Sequence, residues 1–409
     1  MVTNSLKYSL LNVLLRGLSL ISKFILIVCI SKYLSTSELG IYGLFVTTIV
    51  LSMYFLGLDF YTFNTREILS KPNNERLPLI RDQFIFHLTM YVIILPLLSM
   101  VIIKGIIPLK YAIWFYLILI FEHLSQEFYR LYTVLSKPLF ANFVLFLRSG
   151  LWVYFVVYLW IFQPENPKNL SIIWVSWSLG AFLSIIISLF VLKKQNLGSV
   201  TNVPINWRWI KKGVKVSSPF FIGTLAYKIM EFAGRYAIDF FATKKDVGIY
   251  TFFGSVANVI NVIVFTAIVM VYYPKLVEFY KKDNQRYKIY LRKFSYFIII
   301  LSLTSAIAAI ILIKPALVFM GKDEFYNNIS VFYILVIANI VLNVSLIPHY
   351  ILYVKKKDLV IMYSTISGVI LNIALNVLLI PRLGIQGAGW AILLSFAVMG
   401  FIKSMYSKG

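Results

Sequence analysis

Residues Val214–Phe240 read VKVSSPFFIGTLAYKIMEFAGRYAIDF, a stretch long and apolar enough to cross a bilayer, for which about 20 residues suffice. It nevertheless contains Lys228, Glu231, Arg235 and Asp239. Because a helix turns about 100° per residue, their spacing of i, i+3, i+7 and i+11 places all four within one sector of the helix surface. A charge at the bilayer centre costs about 2.5–3.5 kcal/mol on insertion scales. This sector is therefore predicted to face water or other protein.

The composition of the whole chain predicts an all-α integral membrane protein. Of the 409 residues 60% are hydrophobic and 13% charged, whereas soluble domains contain about 25% charged residues. The formal net charge is +23, but the cations lie between apolar runs. We therefore expect membrane lipids and an anionic substrate as partners, and no nucleic acid. The single cysteine, Cys29, excludes an internal disulfide, and three histidines without ligand-like spacing predict no metal site.

We predict twelve transmembrane helices. Those of the first half are Tyr8–Ile30, Leu39–Leu58, Phe84–Ile103, Leu109–Thr133, Leu139–Phe162 and Leu170–Leu192. Those of the second half are Val216–Phe241, Ile249–Tyr273, Phe294–Ile313, Ile329–Leu352, Leu359–Ile380 and Ile385–Ile402. The first apolar run has no small-residue cleavage site, so we interpret it as a retained span and not as a signal peptide.

The cations between the spans predict the orientation. Of the 39 lysines and arginines, 25 fall in the segments on the side of both termini, nine on the opposite side and five within spans. Because cytoplasmic loops carry the excess of lysine and arginine, both termini are predicted to be cytoplasmic.

The two halves of the chain repeat. Glu38–Tyr42, read ELGIY, follows the first predicted span, and Asp246–Tyr250, read DVGIY, follows the seventh, 208 residues later. Six spans separate the copies, an even number, so the halves have the same orientation in the membrane. We predict two parallel six-helix bundles, residues 1–195 and 213–409, joined by a cytoplasmic linker of residues 196–212.

Five cations within the spans are the candidate substrate-binding residues: Arg16, Lys23, Arg148, Lys228 and Arg235. Arg16 and Lys23 belong to a polar stripe on the first span, made of Ser5, Ser9, Asn12, Arg16, Ser19 and Lys23. Arginine offers bidentate contacts to phosphate and lysine a point charge. The alternative for the seventh span is internal pairing of Arg235 with Glu231 and Asp239, both four residues away.

Four acids within the spans are candidates for ion coupling or for neutralising the cations: Glu122, Glu127, Glu231 and Asp239. A buried carboxylate can take up a proton during transport. The alternative at Glu127 is a local pair with Arg130, three residues on.

Three passages resemble the polysaccharide-biosynthesis flippases, the O-antigen-unit translocases of the multidrug/oligosaccharidyl-lipid/polysaccharide (MOP) exporter superfamily. They are Leu34–Tyr42 (LSTSELGIY), Leu56–Asp59 (LGLD) with Thr65–Glu67 (TRE), and Ile380–Ala388 (IPRLGIQGA). Together with the length and the twelve spans, the likeness covers the whole chain.

The resemblance implies two six-helix bundles around a cationic cavity that opens alternately to either side of the bacterial inner membrane. The implied substrate is an undecaprenyl-pyrophosphate-linked oligosaccharide, such as an O-antigen unit, moved to the periplasmic leaflet. It also implies a proton or sodium gradient as the energy source, no bound cofactor, and polysaccharide polymerase machinery as a further partner.

Two other functions compete with this one. An ion-coupled exporter of drugs or of another lipid-linked precursor, from the same superfamily, is the nearest alternative, although a cationic drug favours an acidic cavity. A membrane glycosyltransferase or sugar polymerase ordinarily has a long outer loop with acid/base residues, and the predicted outer segments here are short. We therefore expect a transporter and not an enzyme.

Overall fold

The computed structural model describes residues 2–163 and 165–408, and it describes the side chains of these residues except for residues 2–7 and Ser9. Two members of the predicted polar stripe, Ser5 and Ser9, therefore lie outside the described side chains. Within the described ranges the chain forms helices and no strand.

Sixteen α-helices follow one another along the described chain. The first eight are α1 (Val2–Tyr33), α2 (Thr36–Gly57), α3 (Tyr61–Ser70), α4 (Arg76–Ile103), α5 (Ala112–Val134), α6 (Pro138–Phe146), α7 (Trp152–Phe162) and α8 (Leu170–Lys193). The others are α9 (Trp207–Phe241), α10 (Lys244–Val264), α11 (Met270–Lys282), α12 (Asn284–Met320), α13 (Asp323–Asn327), α14 (Ile329–Val354), α15 (Asp358–Leu383) and α16 (Ile385–Ser407). Two π-helical turns, Leu147–Leu151 and Phe265–Val269, join α6 to α7 and α10 to α11 as continuous helices.

Ten of these continuous helices are long and apolar enough to cross a membrane. Two further helices have the required length but carry several charges. Helix α5 contains Glu122, Glu127 and Arg130, and α9 contains Lys228, Glu231, Arg235 and Asp239, which together form its charged stripe. With them the predicted number of twelve fits the structure, and the chain is a multi-pass membrane protein.

The first compact unit comprises Met1–Cys29 and Phe45–Leu225. Its helices bury Phe128 and Tyr132 of α5 against Ile185 of α8. A second cluster stacks Phe60 on Phe86, with ring centroids 4.6 Å apart, and places Trp209 against Phe60. Burying aromatic side chains of this size removes much apolar surface from water, and the paired rings add specific geometry.

The second compact unit comprises Ile30–Leu44 and Ala226–Gly409. Its buried cluster joins Val264 and Leu276 to Phe294 and Ile298 of α12. Both α14 and α15 pack along α16, whose glycines and alanines allow a close approach. Gly321 ends α12 in the left-handed region at φ 65°, where a residue without Cβ avoids strain.

The repeated sequence lies where α2 meets α10 inside this second unit. A Cβ added to Gly40 would come within 1.8 Å of the carbonyl oxygen of Lys244, and one added to Gly248 within 2.0 Å of that of Thr36. Gly40 and Gly248 are 208 residues apart, as are Thr36 and Lys244. Equivalent positions of the two repeats therefore meet in a reciprocal contact that only glycine permits.

Both helices at this crossing begin with the same cap. The side chains of Ser35 and Glu38 each bond the other's backbone N–H, at 3.2 and 3.0 Å, before α2. Thr243 and Asp246 form the equivalent capping box before α10, again 208 residues later. Such reciprocal bonds satisfy donors that a helix start leaves unpaired.

Glu324 in the short helix α13 is anchored at the same place. Its carboxylate accepts a hydrogen bond from the Thr36 hydroxyl and pairs with Lys245 at 2.9 Å. The Thr36 hydroxyl, followed by Lys245, lowers the pKa of Glu324 despite some burial. This loop between two spans is therefore held to the starts of α2 and α10 by an ionised carboxylate.

Candidate functional site

The charged stripe of α9 exists, and its two acids are each paired with a lysine. Glu231 accepts from Lys228 at 2.7 Å, the pair at i,i+3. Asp239 pairs with Lys244 at 2.6 Å, across the turn between α9 and α10. Lys228 has other contacts as well. Arg235 also interacts electrostatically with Glu231, so part of the internal-pairing alternative remains beside the two lysine pairs.

A polar cavity of about 110 Å³ opens within the second unit beside this stripe. It has room for a few water molecules, each of which occupies about 30 Å³ in the liquid. Four helices line it: α9, α10, α14 and α16. The polar lining residues are Tyr227, Glu231, Arg235, Tyr250, Ser255, Asn258 and Asn339.

Arg235 gives this cavity its positive charge. Its guanidinium carbon lies 5.4 Å from the centre of the Phe232 ring, a cation–π distance. Gly254 on α10 faces it, since a Cβ there would lie 4.0 Å from an Nη2 atom of Arg235. Glu231 is the only acid among the lining residues, and when its partner Lys228 is counted with Arg235 the three side chains have a formal charge of +1.

The remaining polar lining groups include both hydrogen-bond donors and hydrogen-bond acceptors. Asn258 accepts from Asn261 at 3.5 Å, and Asn339 donates to the carbonyl of Leu335 at 2.9 Å. Tyr250 places its hydroxyl 3.2 Å from the Cβ position of Gly234. Amides, hydroxyls and one guanidinium together form a set of donors that suits an anionic group.

Arg16 and Lys23 lie on α1, in the first unit. Arg16 is half-buried and makes no ion pair within the described residues, whereas Lys23 is exposed and has contacts of its own. Asn12 of the stripe and its neighbour Ser22 bond to the helix formed by α6 and α7: Asn142 donates to Asn12 at 2.9 Å, and Ser22 donates to the Ser149 carbonyl at 3.2 Å. This part of α1 thus serves partly for helix packing, whereas Arg16 has no ion-pair partner among the described residues.

Arg148 and Glu122 are brought together inside the first unit. Nε of Arg148 lies 3.4 Å from Glu122 Oε2, and an Nη1 hydrogen bond of 3.3 Å reaches Gln126. Trp177 of α8 donates to the other carboxylate oxygen of Glu122 at 2.5 Å. Arg148 occupies the π-helical turn after α6, a distortion that is often found at functional sites.

Glu127 is fully buried and bonded on both oxygens. Oε1 accepts from Arg130 at 2.5 Å, the i,i+3 pair expected as an alternative from the sequence. Oε2 accepts from Gln83 of α4 at 2.6 Å and lies 3.4 Å from Nε2 of His87. The carboxylate therefore holds α4 against α5.

Solved transporter structures have a similar fold. A structure described as the inward-facing conformation of a multidrug resistance MATE family transporter of the MOP superfamily has a TM-score of 0.79 and 11% identity, covering 95% of this chain and 94% of that one. The outward-facing conformation of such a transporter has a TM-score of 0.63 and 14% identity, covering 98% and 94%.

The chain has the MATE transporter fold. A mutant of the Vibrio cholerae MATE transporter VcmN matches with a TM-score of 0.54 and 14% identity, covering 98% of this chain and 97% of that one. No protein-family model matches the sequence, and no curated protein does. At these identities the MATE likeness establishes the fold.

Several residues of the site were not predicted as such from the sequence. Tyr250, Ser255 and Asn339 join Arg235 only because α10 and α14 pack against α9. A polar residue such as Asn258 or Asn339 inside an apolar helix is the available signal, and it indicates an interhelical contact without naming the partner. The five cations themselves are distributed over the two units: Arg16, Lys23 and Arg148 in the first, Lys228 and Arg235 in the second.

Proposed function

We propose that this chain is a transporter that moves an undecaprenyl-pyrophosphate-linked oligosaccharide from the cytoplasmic to the periplasmic leaflet by alternating access. The fold supports the transport part of the proposal, because solved chains with it are described as multidrug resistance transporters in inward-facing and outward-facing conformations. The sequence resemblance to polysaccharide flippases supports the substrate class.

The proposal of an anionic substrate rests on the charge of the cavity in the second unit. Arg235 is its lining cation, and the one lining acid, Glu231, is already paired with Lys228. A partly buried guanidinium beside amide and hydroxyl donors favours phosphate, which accepts bidentate hydrogen bonds. Arg16 and Lys23 of the first unit are proposed as further contacts of the pyrophosphate.

Acids in the spans are proposed as coupling or counter-ion groups. Glu231 and Asp239 are bound to lysines, and Glu122 and Glu127 to arginines. We assign the energy source to a proton or sodium gradient on the basis of the resemblance alone.

Export of drugs, cationic ones among them, is the second candidate, and it is favoured by the solved structures with this fold, which are described as multidrug resistance transporters. A cationic drug requires an acidic site that attracts it. The pairing of each acid named above with a lysine or arginine argues against this candidate.

Deleting the gene tests the proposal. The proposed function predicts that a lipid-linked oligosaccharide accumulates in the deletion strain, and that wild-type protein, but not Arg16→Ala or Lys23→Ala protein, removes it. Susceptibility to cationic drugs is expected to stay unchanged. Unchanged lipid-linked sugars together with increased drug susceptibility would replace this function by the drug-export candidate.

A further inference from the structure

Three buried side chains with metal-binding chemistry meet in the first unit. His87 belongs to α4, and His123 and Glu127 belong to α5. Their ligand atoms all lie within 4.8 Å of one another. His87 and His123 are 1% exposed and Glu127 is 2% exposed. The transport function proposed above assigns neither histidine a role.

The Nδ1 atom of each histidine contacts an oxygen atom on the side of the ring away from Nε2. Nδ1 of His87 lies 3.4 Å from the carbonyl oxygen of Leu56, and in the tautomer that donates this bond Nε2 keeps a lone pair. Nδ1 of His123 lies 2.7 Å from the Tyr91 hydroxyl. Carbonyl and hydroxyl groups behind the second ring nitrogen orient histidines that bind metals through the first.

The amide of Gln83 lies where a cation would bind. Its Nε2 atom is 3.3 Å from Nε2 of His87 and 2.6 Å from Oε2 of Glu127. The amide nitrogen thus lies beside a histidine nitrogen and a carboxylate oxygen that are themselves 3.4 Å apart. A tetrahedral zinc ion with bonds of about 2.0–2.1 Å holds its ligand atoms roughly 3.4 Å apart. Two ligands therefore already have the required separation.

The third ligand has an unused nitrogen. Nε2 of His123 is buried and has no hydrogen-bond partner within the described residues. A Cβ added to Gly57 would lie 3.3 Å from this nitrogen, so the glycine leaves space beside it. Leaving a buried polar atom unbonded costs about 1–3 kcal/mol, and a ligand at this atom removes the cost.

The charges around the cluster tolerate a divalent cation. Arg130 bonds Oε1 of Glu127 and stacks 3.7 Å above the Tyr61 ring, so Oε2 remains on the side of the histidines. Asp59 attracts the same guanidinium.

We propose that His87, His123 and Glu127 bind one divalent transition ion of the zinc class, which ties α4 to α5. Imidazole nitrogen and carboxylate oxygen are ligands that suit zinc, and three protein ligands leave a position for water or for the Gln83 side chain. The histidines lie 36 residues apart on different helices, which is why their spacing along the sequence gave no indication of a site.

Metal binding to the purified full-length protein tests this directly. After treatment with a chelator, the protein is incubated with zinc or with magnesium, desalted, and analysed for bound metal and for thermal unfolding. We expect one zinc ion per chain and a rise in the unfolding temperature of at least about 4 °C, with no effect of magnesium. Wild-type protein that retains no zinc would overturn the proposal.

The three histidines of the chain provide matched variants. His87→Gln and His123→Gln remove a ligand, whereas His349→Gln changes the one histidine outside the cluster. We expect the first two to lose the bound zinc and the third to keep it. Zinc retained by both cluster variants would place the ion elsewhere and contradict the assignment. If either variant folds poorly, the test is made by adding cobalt to the metal-free wild-type protein and recording its visible absorption. A strong absorption typical of tetrahedral cobalt supports the site, and the absence of this absorption refutes it.

Discussion

Arg235 lies on a helix whose two acids have found other partners. Lys228 holds Glu231, and Lys244 holds Asp239 from the start of the next helix. Removing Arg235 leaves each acid with its lysine, and Glu231 loses only an additional electrostatic interaction with the guanidinium. A mutation that removes the sole partner of a buried charge is strongly destabilising, and here each acid keeps one partner.

Arg235→Ala is accordingly expected to reach the membrane at normal abundance and to lose export. A lost desolvated charge contact costs about 2–5 kcal/mol, which is a decrease of roughly 30-fold or more. Arg235→Lys keeps the charge without the bidentate fork, so partial export is expected.

The control for this prediction is Arg286→Ala at the start of α12. Arg286 is an exposed arginine paired with Asp283, and exposed pairs contribute about 0–1 kcal/mol. The measurements are membrane abundance and export of the lipid-linked sugar. Full export by Arg235→Ala would contradict a role for Arg235 in substrate binding.

Arg148 is expected to behave in the opposite way. Its removal leaves the buried carboxylate of Glu122 without a cation, a loss of about 3–5 kcal/mol in stability. Arg148→Ala should therefore be scarce in the membrane, and the double variant Arg148→Ala/Glu122→Gln should recover abundance. An abundant but inactive Arg148→Ala protein would instead support the substrate contact predicted from the sequence.

The sequence identified the charged residues and some of their partners. The i,i+3 pairs Lys228–Glu231 and Glu127–Arg130 follow from helical spacing alone. Lys244 reaches Asp239 only because the chain turns sharply between α9 and α10. Contacts of this kind depend on the tertiary path of the chain, on which helical periodicity carries no information.

At the scale of elements, the crossing of α2 and α10 is the most constrained contact. Gly248→Ala would place a methyl group 2.0 Å from the Thr36 carbonyl, so the two helices must separate. Overpacking costs about 1–3 kcal/mol, and we expect a lower unfolding temperature of the purified protein.

Gly17→Ala on α1 is the matched glycine variant. A Cβ at Gly17 meets nothing within 4 Å, and alanine favours the helix, so stability is expected to stay the same or to rise. Equal unfolding temperatures of Gly248→Ala and wild-type protein would show that the helices do not meet as described.

The apolar runs of the sequence predicted where the membrane spans lie, but not that some helices continue beyond them into polar residues. The predicted span Phe294–Ile313 is the middle of α12, which starts at Asn284 behind an Asp283 cap. Its first turns are charged, so hydropathy does not include them, although Asp283 is a good N-cap. The amphipathic helix α3 was likewise not predicted, because ten residues are too few to give a span signal.

For the whole molecule, the uneven distribution of cations predicts the orientation in the membrane. Reporter fusions after Leu58, Leu192, Tyr273 and Tyr406 are expected to report the cytoplasm, since their segments hold the excess of lysine and arginine. A periplasmic signal from the segment at residues 281–293 would contradict both the orientation and the number of spans.

Transport of a lipid-linked pyrophosphate sugar is the central claim for the whole molecule. The direct measurement uses proteoliposomes that contain a fluorescent undecaprenyl-pyrophosphate sugar and a quencher that cannot cross the bilayer. With an imposed ion gradient, wild-type protein is expected to move the fluorescent lipid between leaflets, and Arg235→Ala protein is expected not to. Equal rates for wild-type protein, Arg235→Ala protein and protein-free liposomes would contradict the claim.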